Sequence, residues 1–157
     1  MNGLADALTV AAVVGSGVVT GILWIFSNTV MPSLAQHGEG AATMVTINER
    51  ILNPLFLLLF MGTTVVCVAV AALTLLGHGR GGLPAVIGAG VYVVGVFGVT
   101  AALNVPMNNA LAASPPGTAE AAEYWRIYLV RWTRWNTVRS ILGIVATTLL
   151  AAALLGG

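Results

Sequence analysis

Residues 125–155 read WRIYLVRWTRWNTVR followed by SILGIVATTLLAAALL. Wound at about 3.6 residues per turn, the first half sets Trp125, Tyr128, Trp132, Trp135 and Arg139 on one side, with Asn136 at the edge of the stripe. The second half is apolar enough to enter a bilayer. One helix thus carries an aromatic face to the membrane surface and places an amide and a guanidinium just inside it. A charge at that depth is costly and normally faces the bundle interior or a wet cavity. An interfacial aromatic belt with snorkelling arginines would also explain this composition. Belt residues can point anywhere, however, and these five share one face. The stripe therefore reads as one wall of a site.

The whole chain agrees with a membrane setting. Of its 157 residues, 58% are hydrophobic and 7% charged, and the mean hydropathy is +0.95, more apolar surface than a soluble domain of this size can hide. Runs of about 20 apolar residues span the hydrocarbon core, and four qualify, at roughly Leu8–Val30, Leu55–Leu76, Leu83–Leu103 and Thr137–Leu155. Strand-like alternation is missing, so these are helices rather than barrel strands. The expectation is a single all-α domain, an integral membrane four-helix bundle of the cell membrane, with the lipid bilayer as its main partner. The formal net charge of +1 suggests no nucleic-acid partner. Cys67, the lone cysteine, falls inside the second span and can form no intrachain disulfide. The N-terminal run lacks a basic flank and exceeds a signal-peptide core in length, so it reads as a retained first helix.

Along the chain, Gly17-Val-Val-Thr-Gly21 marks close helix packing within the bundle. Met31-Pro32 reads as the end of the first helix. A short loop with His37 and Glu39 follows, then a helical pattern in which Met44, Ile47 and Ile51 share a face around Asn48, Glu49 and Arg50. Asn53-Pro54 is either a helix cap with proline in the first turn or a kink in one longer helix. Either reading sets Asn48, Glu49 and Asn53 at the membrane entrance of the second span. The third span carries Gly88, Gly90, Gly95 and Gly98, then Thr100, Asn104 and Asn108 at intervals of four, with Pro106 expected to unwind it. Glu120 and Glu123 favour the start of the last helix.

Four spans bring the first and third loops to one side, so Asn48, Glu49, Asn53, Asn104, Asn108, Trp132, Asn136 and Arg139 converge at one end of the bundle. His78 and Arg80 belong to the other end. Counting arginines makes the convergent side cytoplasmic, although arginines committed to a site do not belong in that count.

Elimination narrows the chemistry. Glu-x-x-His pairs for a di-iron centre are lacking, the histidines sit in loops on opposite faces rather than within spans, and no HExxH or Cys-x-x-Cys motif is present. No metal is expected. What remains is a pocket of amides, indoles, a phenol, a carboxylate and a guanidinium. It suits a hydrophobic planar small molecule, with indoles stacking on rings while Asn and Arg bind phenolic or enolate oxygens.

The pattern Pro32, Ile47-Asn48, Asn53-Pro54, Thr100-xxx-Asn104-Val-Pro106-x-Asn108 and Trp132-xx-Trp135-Asn136-xx-Arg139 resembles the small four-helix membrane family that includes the anthrone oxygenases. The resemblance spans nearly the whole chain, and Asn104-Val-Pro106-x-Asn108 and Trp135-Asn136-xx-Arg139 are its most specific parts. It implies a four-helix membrane bundle and, for the oxygenase members, oxidation of an anthrone to an anthraquinone by dioxygen with no cofactor. On that expectation Arg139, Asn104, Asn108 and Asn136 stabilise an oxyanion. Trp132, Trp135 and Tyr128 line the ligand together with Asn48 and Asn53. Glu49 is either the base or a partner for Arg50 or Arg139, and His37 is a second choice of base. Two further readings stand beside this one: a non-enzymatic carrier for a quinone-like molecule, and a structural partner in a membrane complex.

Overall fold

The computed structural model describes residues 2–79 and 81–156; Arg80 lies outside them. Four helices are long and apolar enough to cross a membrane: α1 (Gly3–Ala35), α3 (Pro54–Leu75), α4 (Gly82–Ala113) and α5 (Ala119–Leu155). A shorter helix, α2 (Gly40–Ile51), lies between the first two. The described residues contain no strand. The protein is an all-α membrane bundle in which α1 packs on α3 and α5, and α4 on the same two.

Packing contacts fix the directions. Thr147 bonds Ser16, Gly143 faces Thr20 and Asn136 reaches Leu23 and Ser27, so α1 and α5 run antiparallel. On the other side of α5, Gly88 meets Leu149 and Leu150, Gly95 meets Leu142 and Thr100 meets Arg139. Both ends of the chain therefore lie at one end of the bundle, with the first and third loops at the other. Lipid-level residues such as Val14, Leu58, Val65, Val94 and Ile141 point outward, the reverse of a soluble bundle, whose outer faces are polar.

The helices pack through small residues at two positions the glycine pattern did not single out. A Cβ on Gly15 would run into the Thr63 side chain, and one on Gly143 into Thr20. By contrast, Gly17 makes only an ordinary contact with Thr147, and nothing approaches Gly21. The GVVTG pair is thus not the tight crossing. Without a hydrophobic drive between helices in lipid, such backbone approach is what holds them together.

Two expectations about proline are corrected. Pro32 does not end α1, nor does Pro106 unwind α4. Each is preceded by a five-residue π-helical turn, Phe26–Val30 and Thr100–Asn104, after which the helix resumes. Met31 N–H bonds the carbonyl of Phe26, and Val105 N–H that of Thr100. A proline in a regular helix removes one bond and clashes with the carbonyl four residues back. Widening the ladder by one residue just before the ring relieves that clash and re-pairs the backbone. Neither helix has to break.

Asn53 settles its own alternatives. Its backbone is extended (φ −76°, ψ 158°) and its side chain accepts from Phe56 N–H at 3.0 Å. It caps α3, so α2 and α3 are separate helices. Thr118 caps α5 in the same way, accepting from Ala121 N–H at 3.1 Å. At 37 residues α5 is about 55 Å long, against roughly 30 Å of hydrocarbon. The bundle therefore projects beyond the membrane at the loop-one end. There Met31, Met44, Leu111, Tyr128 and Trp132 form a second core, separate from the one inside the spans.

Replacing Gly143 with valine should lower the stability of the detergent-solubilised protein by about 1–3 kcal/mol, the cost of overpacking, read as a fall in Tm. Gly21→Ala should be neutral or slightly stabilising, because nothing is close to it and alanine is the better helix former.

Candidate functional site

A cavity of about 280 Å3 opens at the loop-one end of the bundle, at the small end of the range for ligand pockets. All five helices contribute. Leu23 and Phe26 come from α1, Asn48 and Glu49 from α2, Phe56 and Phe60 from α3, Thr100, Asn108 and Asn109 from α4, and Trp132 and Arg139 from α5. Its walls are mostly apolar, with a few polar groups brought together, the ordinary composition of a small-molecule site.

Arg139 is the centre of it. Only 6% of its surface is exposed. Its Nε and one terminal nitrogen donate to Asn136 Oδ1 at 3.0 and 2.7 Å, and the other terminal nitrogen donates to Thr100 Oγ1 at 2.8 Å. Its guanidinium carbon stands 5.4 Å from the centroid of the Trp132 ring, within cation–π range. The expected counter-charge is missing. Among the described residues the one ion pair joins Arg126 to Glu123 on the surface. Glu49 lines the same cavity, yet it pairs with neither Arg139 nor Arg50. A guanidinium has five N–H donors and protein groups take three of them. Two remain unused on a side chain that borders the cavity.

The supporting groups explain why the arginine stays there. Asn136 is fully buried and donates from Nδ2 to the Leu23 carbonyl and to Ser27 Oγ, both at 2.6 Å. It thereby ties Arg139 to the start of the π turn of α1. Thr100 opens the second of two π-helical segments in α4, Tyr92–Gly98 and Thr100–Asn104, and returns its own hydroxyl hydrogen to Val96 O at 2.6 Å. The two irregular turns thus place both arms of the arginine's cradle. Such π turns recur at functional sites.

Above Arg139 the aromatic face forms a column. Trp125 stacks on Tyr128 at 5.6 Å between ring centres, and Tyr128 on Trp132 at 5.8 Å, with interplanar angles of 22° and 20°. Phe26 meets Trp132 at 6.0 Å and 54°. Tyr128 Oη and Trp132 Nε1 both donate to Asn108 Oδ1, at 2.8 and 2.7 Å.

Ten residues were expected at the site, and the fold brings all of them to this end of the bundle. Asn48, Glu49, Asn108, Trp132 and Arg139 border the cavity. The other five do not border it. Asn136 is behind Arg139. Asn104 is buried and donates to the Trp132 carbonyl at 3.4 Å, clamping α4 to α5. Tyr128 is buried in the column, Trp135 lies half-buried off the lining, and Asn53 is taken up as the cap of α3. His37 lies in the exposed first turn, bonded through Nδ1 to Ser33 O at 2.8 Å, and does not border the cavity. Among the lining residues that the sequence did not assign to the site are Phe26, Phe56, Phe60 and Asn109. Phenylalanines in apolar spans carry no distinguishing signal. Thr100 was visible as the first member of the interval-of-four set with Asn104 and Asn108.

The family model described as Anthrone oxygenase matches residues 56–149, well over half of the chain. No curated protein and no solved structure matches it. The matched stretch holds Phe56, Phe60, Thr100, Asn108, Trp132 and Arg139, whereas Asn48 and Glu49 precede it.

Two substitutions separate support from contact. Asn136→Leu should destabilise the fold by about 3–5 kcal/mol, because it strips a buried charge of its partner, and should depress Tm sharply. Asn53→Ala should cost about 1 kcal/mol as a lost cap while leaving the affinity of a cavity ligand unchanged, measured by equilibrium dialysis in lipid nanodiscs.

Proposed function

The chain belongs to the anthrone oxygenase family, and from that premise we propose that it oxidises a planar anthrone-type substrate with dioxygen. The observation that carries this reading is Arg139, a buried guanidinium with two N–H donors unused and no carboxylate partner among the described residues, on the wall of a largely apolar cavity. A cation held this way favours an anionic oxygen in the cavity over water or a neutral group. An anthrone becomes such an anion on losing a proton from its methylene carbon.

The chemistry balances without an added reductant. A base removes the methylene proton and the charge settles on the oxygen across the ring, next to Arg139. The electron-rich carbon then adds dioxygen, and protonation gives a hydroperoxide. Loss of water leaves the quinone carbonyl. One oxygen atom ends in the product and the other in water, and the four electrons come from the substrate carbon. In this scheme Arg139 holds the enolate oxygen and Asn136 and Thr100 hold Arg139. Trp132 with Phe26, Phe56 and Phe60 encloses the rings. Fixed donors in a water-poor site lower the energy of the charged intermediate because they need no reorganisation.

Glu49 is the carboxylate among the lining residues, and we assign it the role of base. It lies at the exposed rim on α2, so a proton taken from the substrate has a short path to water. Positioned general bases contribute about 10²–10⁴-fold.

Oxygen uptake by the nanodisc-embedded protein with anthrone as substrate tests the reading. Uptake should run one to one with anthraquinone formed. Arg139→Lys should fold, since it keeps the charge, yet lose most turnover because the planar fork is gone. Glu49→Gln should lose about 10²-fold or more in kcat. No anthrone-dependent uptake by the wild-type protein would overturn the proposal, and full activity in Arg139→Lys would remove Arg139 from it.

A further inference from the structure

Resting on the reading that the cavity holds an ionised aromatic oxygen at Arg139, we infer that Asn108 is a second ligand-facing donor and Tyr128 the positioning residue that aims it. The argument begins at Trp132. An indole N–H donates and cannot accept. The Asn108 atom 2.7 Å from Trp132 Nε1 is therefore its oxygen, and the amide cannot be turned over. The same Oδ1 accepts the Tyr128 hydroxyl at 2.8 Å. Turning the amide would strand the indole donor in a buried aromatic column, at about 1–3 kcal/mol for the group left unpaired, and would force the Tyr128 hydroxyl from donor to acceptor.

With the oxygen committed, the amide nitrogen is left on the other side. No protein acceptor takes its hydrogens among the described residues, and Asn108 borders the cavity. Asn48 donates to the Tyr128 hydroxyl at 3.5 Å, which favours keeping the phenolic hydrogen on Asn108. Asn108 and Arg139 both adjoin Trp132, the amide at its nitrogen and the guanidinium over its ring. A planar ligand in the cavity thus meets two unlike groups. The guanidinium selects an anionic oxygen. The neutral amide N–H selects a second oxygen elsewhere on the ring system, a carbonyl or a hydroxyl acting as acceptor. Tyr128 need not touch the ligand to alter that choice.

The probes are anthrone, which has one oxygen, and 1,8-dihydroxyanthrone, which adds two. Binding to the full chain in nanodiscs is measured by equilibrium dialysis under argon, with binding to empty nanodiscs subtracted. The wild-type protein should bind the dihydroxy compound about five- to tenfold more tightly, the worth of one hydrogen bond. Tyr128→Phe should reduce that ratio by about threefold, and Asn108→Leu should bring it near one. In Tyr128→Phe, which leaves the Asn108–Trp132 bond in place, anthrone should bind within about twofold of wild type. A merely structural tyrosine would instead weaken both compounds together and leave the ratio intact, which would overturn the inference. So would equal affinities in the wild-type protein, a result that needs no variant to fold. If the wild-type protein binds neither compound, the reading this rests on falls, and the inference falls with it.

Discussion

The structure depends on a guanidinium set inside a membrane bundle with no negative charge beside it among the described residues. Placing an arginine at the centre of a bilayer costs about 2.5–3.5 kcal/mol on insertion scales. Here the cost is met by an amide oxygen, a threonine hydroxyl and an indole face around Arg139. These groups satisfy direction and distance, and they bring no counter-charge. A carboxylate in their place would have neutralised the site. The positive field is left to act on whatever occupies the cavity, the arrangement expected where charge develops during a reaction.

That choice propagates through the fold. Asn136 can hold Arg139 only because its own amide is fixed on Leu23 and Ser27 of α1. Thr100 can do so only because the second π turn of α4, Thr100–Asn104, sets it opposite the arginine. The two π turns precede two prolines that would otherwise break their helices. Irregular backbone at membrane depth is tolerated where it borders a cavity or is buried in protein, and each turn borders the cavity through its first residue, Phe26 or Thr100. The close approach of α1 to α5 at Gly143 and Thr20 keeps the two halves of the cradle in register. The site and the packing of the bundle are therefore one problem for this chain.

The aromatic column has a different task. Its stacking would be served by any three flat side chains at these positions. The choice of tryptophan at 132 and tyrosine at 128 adds two donors, and both are used on the same amide oxygen. The stripe that looks like a membrane belt in one dimension is thus a support for Asn108 on one side and a lid over Arg139 on the other. The belt arginines, Arg126, Arg131 and Arg134, remain exposed on the far face of α5, where they can reach headgroups.

Composition and periodicity by themselves determined that the chain crosses a bilayer four times, that its polar helix ends meet on one side and that Arg139 turns inward. These follow from local rules: hydrocarbon thickness, helical pitch and the cost of a charge in lipid. The Asn53-Pro54 cap was legible for the same reason. Only the tertiary structure decided which inward residues border the cavity and which stand behind them. Asn104 and Asn136 are as polar and as well spaced as Asn108, and a helical wheel cannot tell them apart; the depth of a neighbouring helix can. The π turns were hidden because a proline's missing donor signals disruption without saying how it is absorbed, and that depends on what packs against the widened turn. The absence of a carboxylate partner for Arg139 among the described residues was equally out of reach, since Glu49 could have been folded against it. It stands at the rim because it lies in the last turn of α2, which ends at Ile51 before the chain turns into α3.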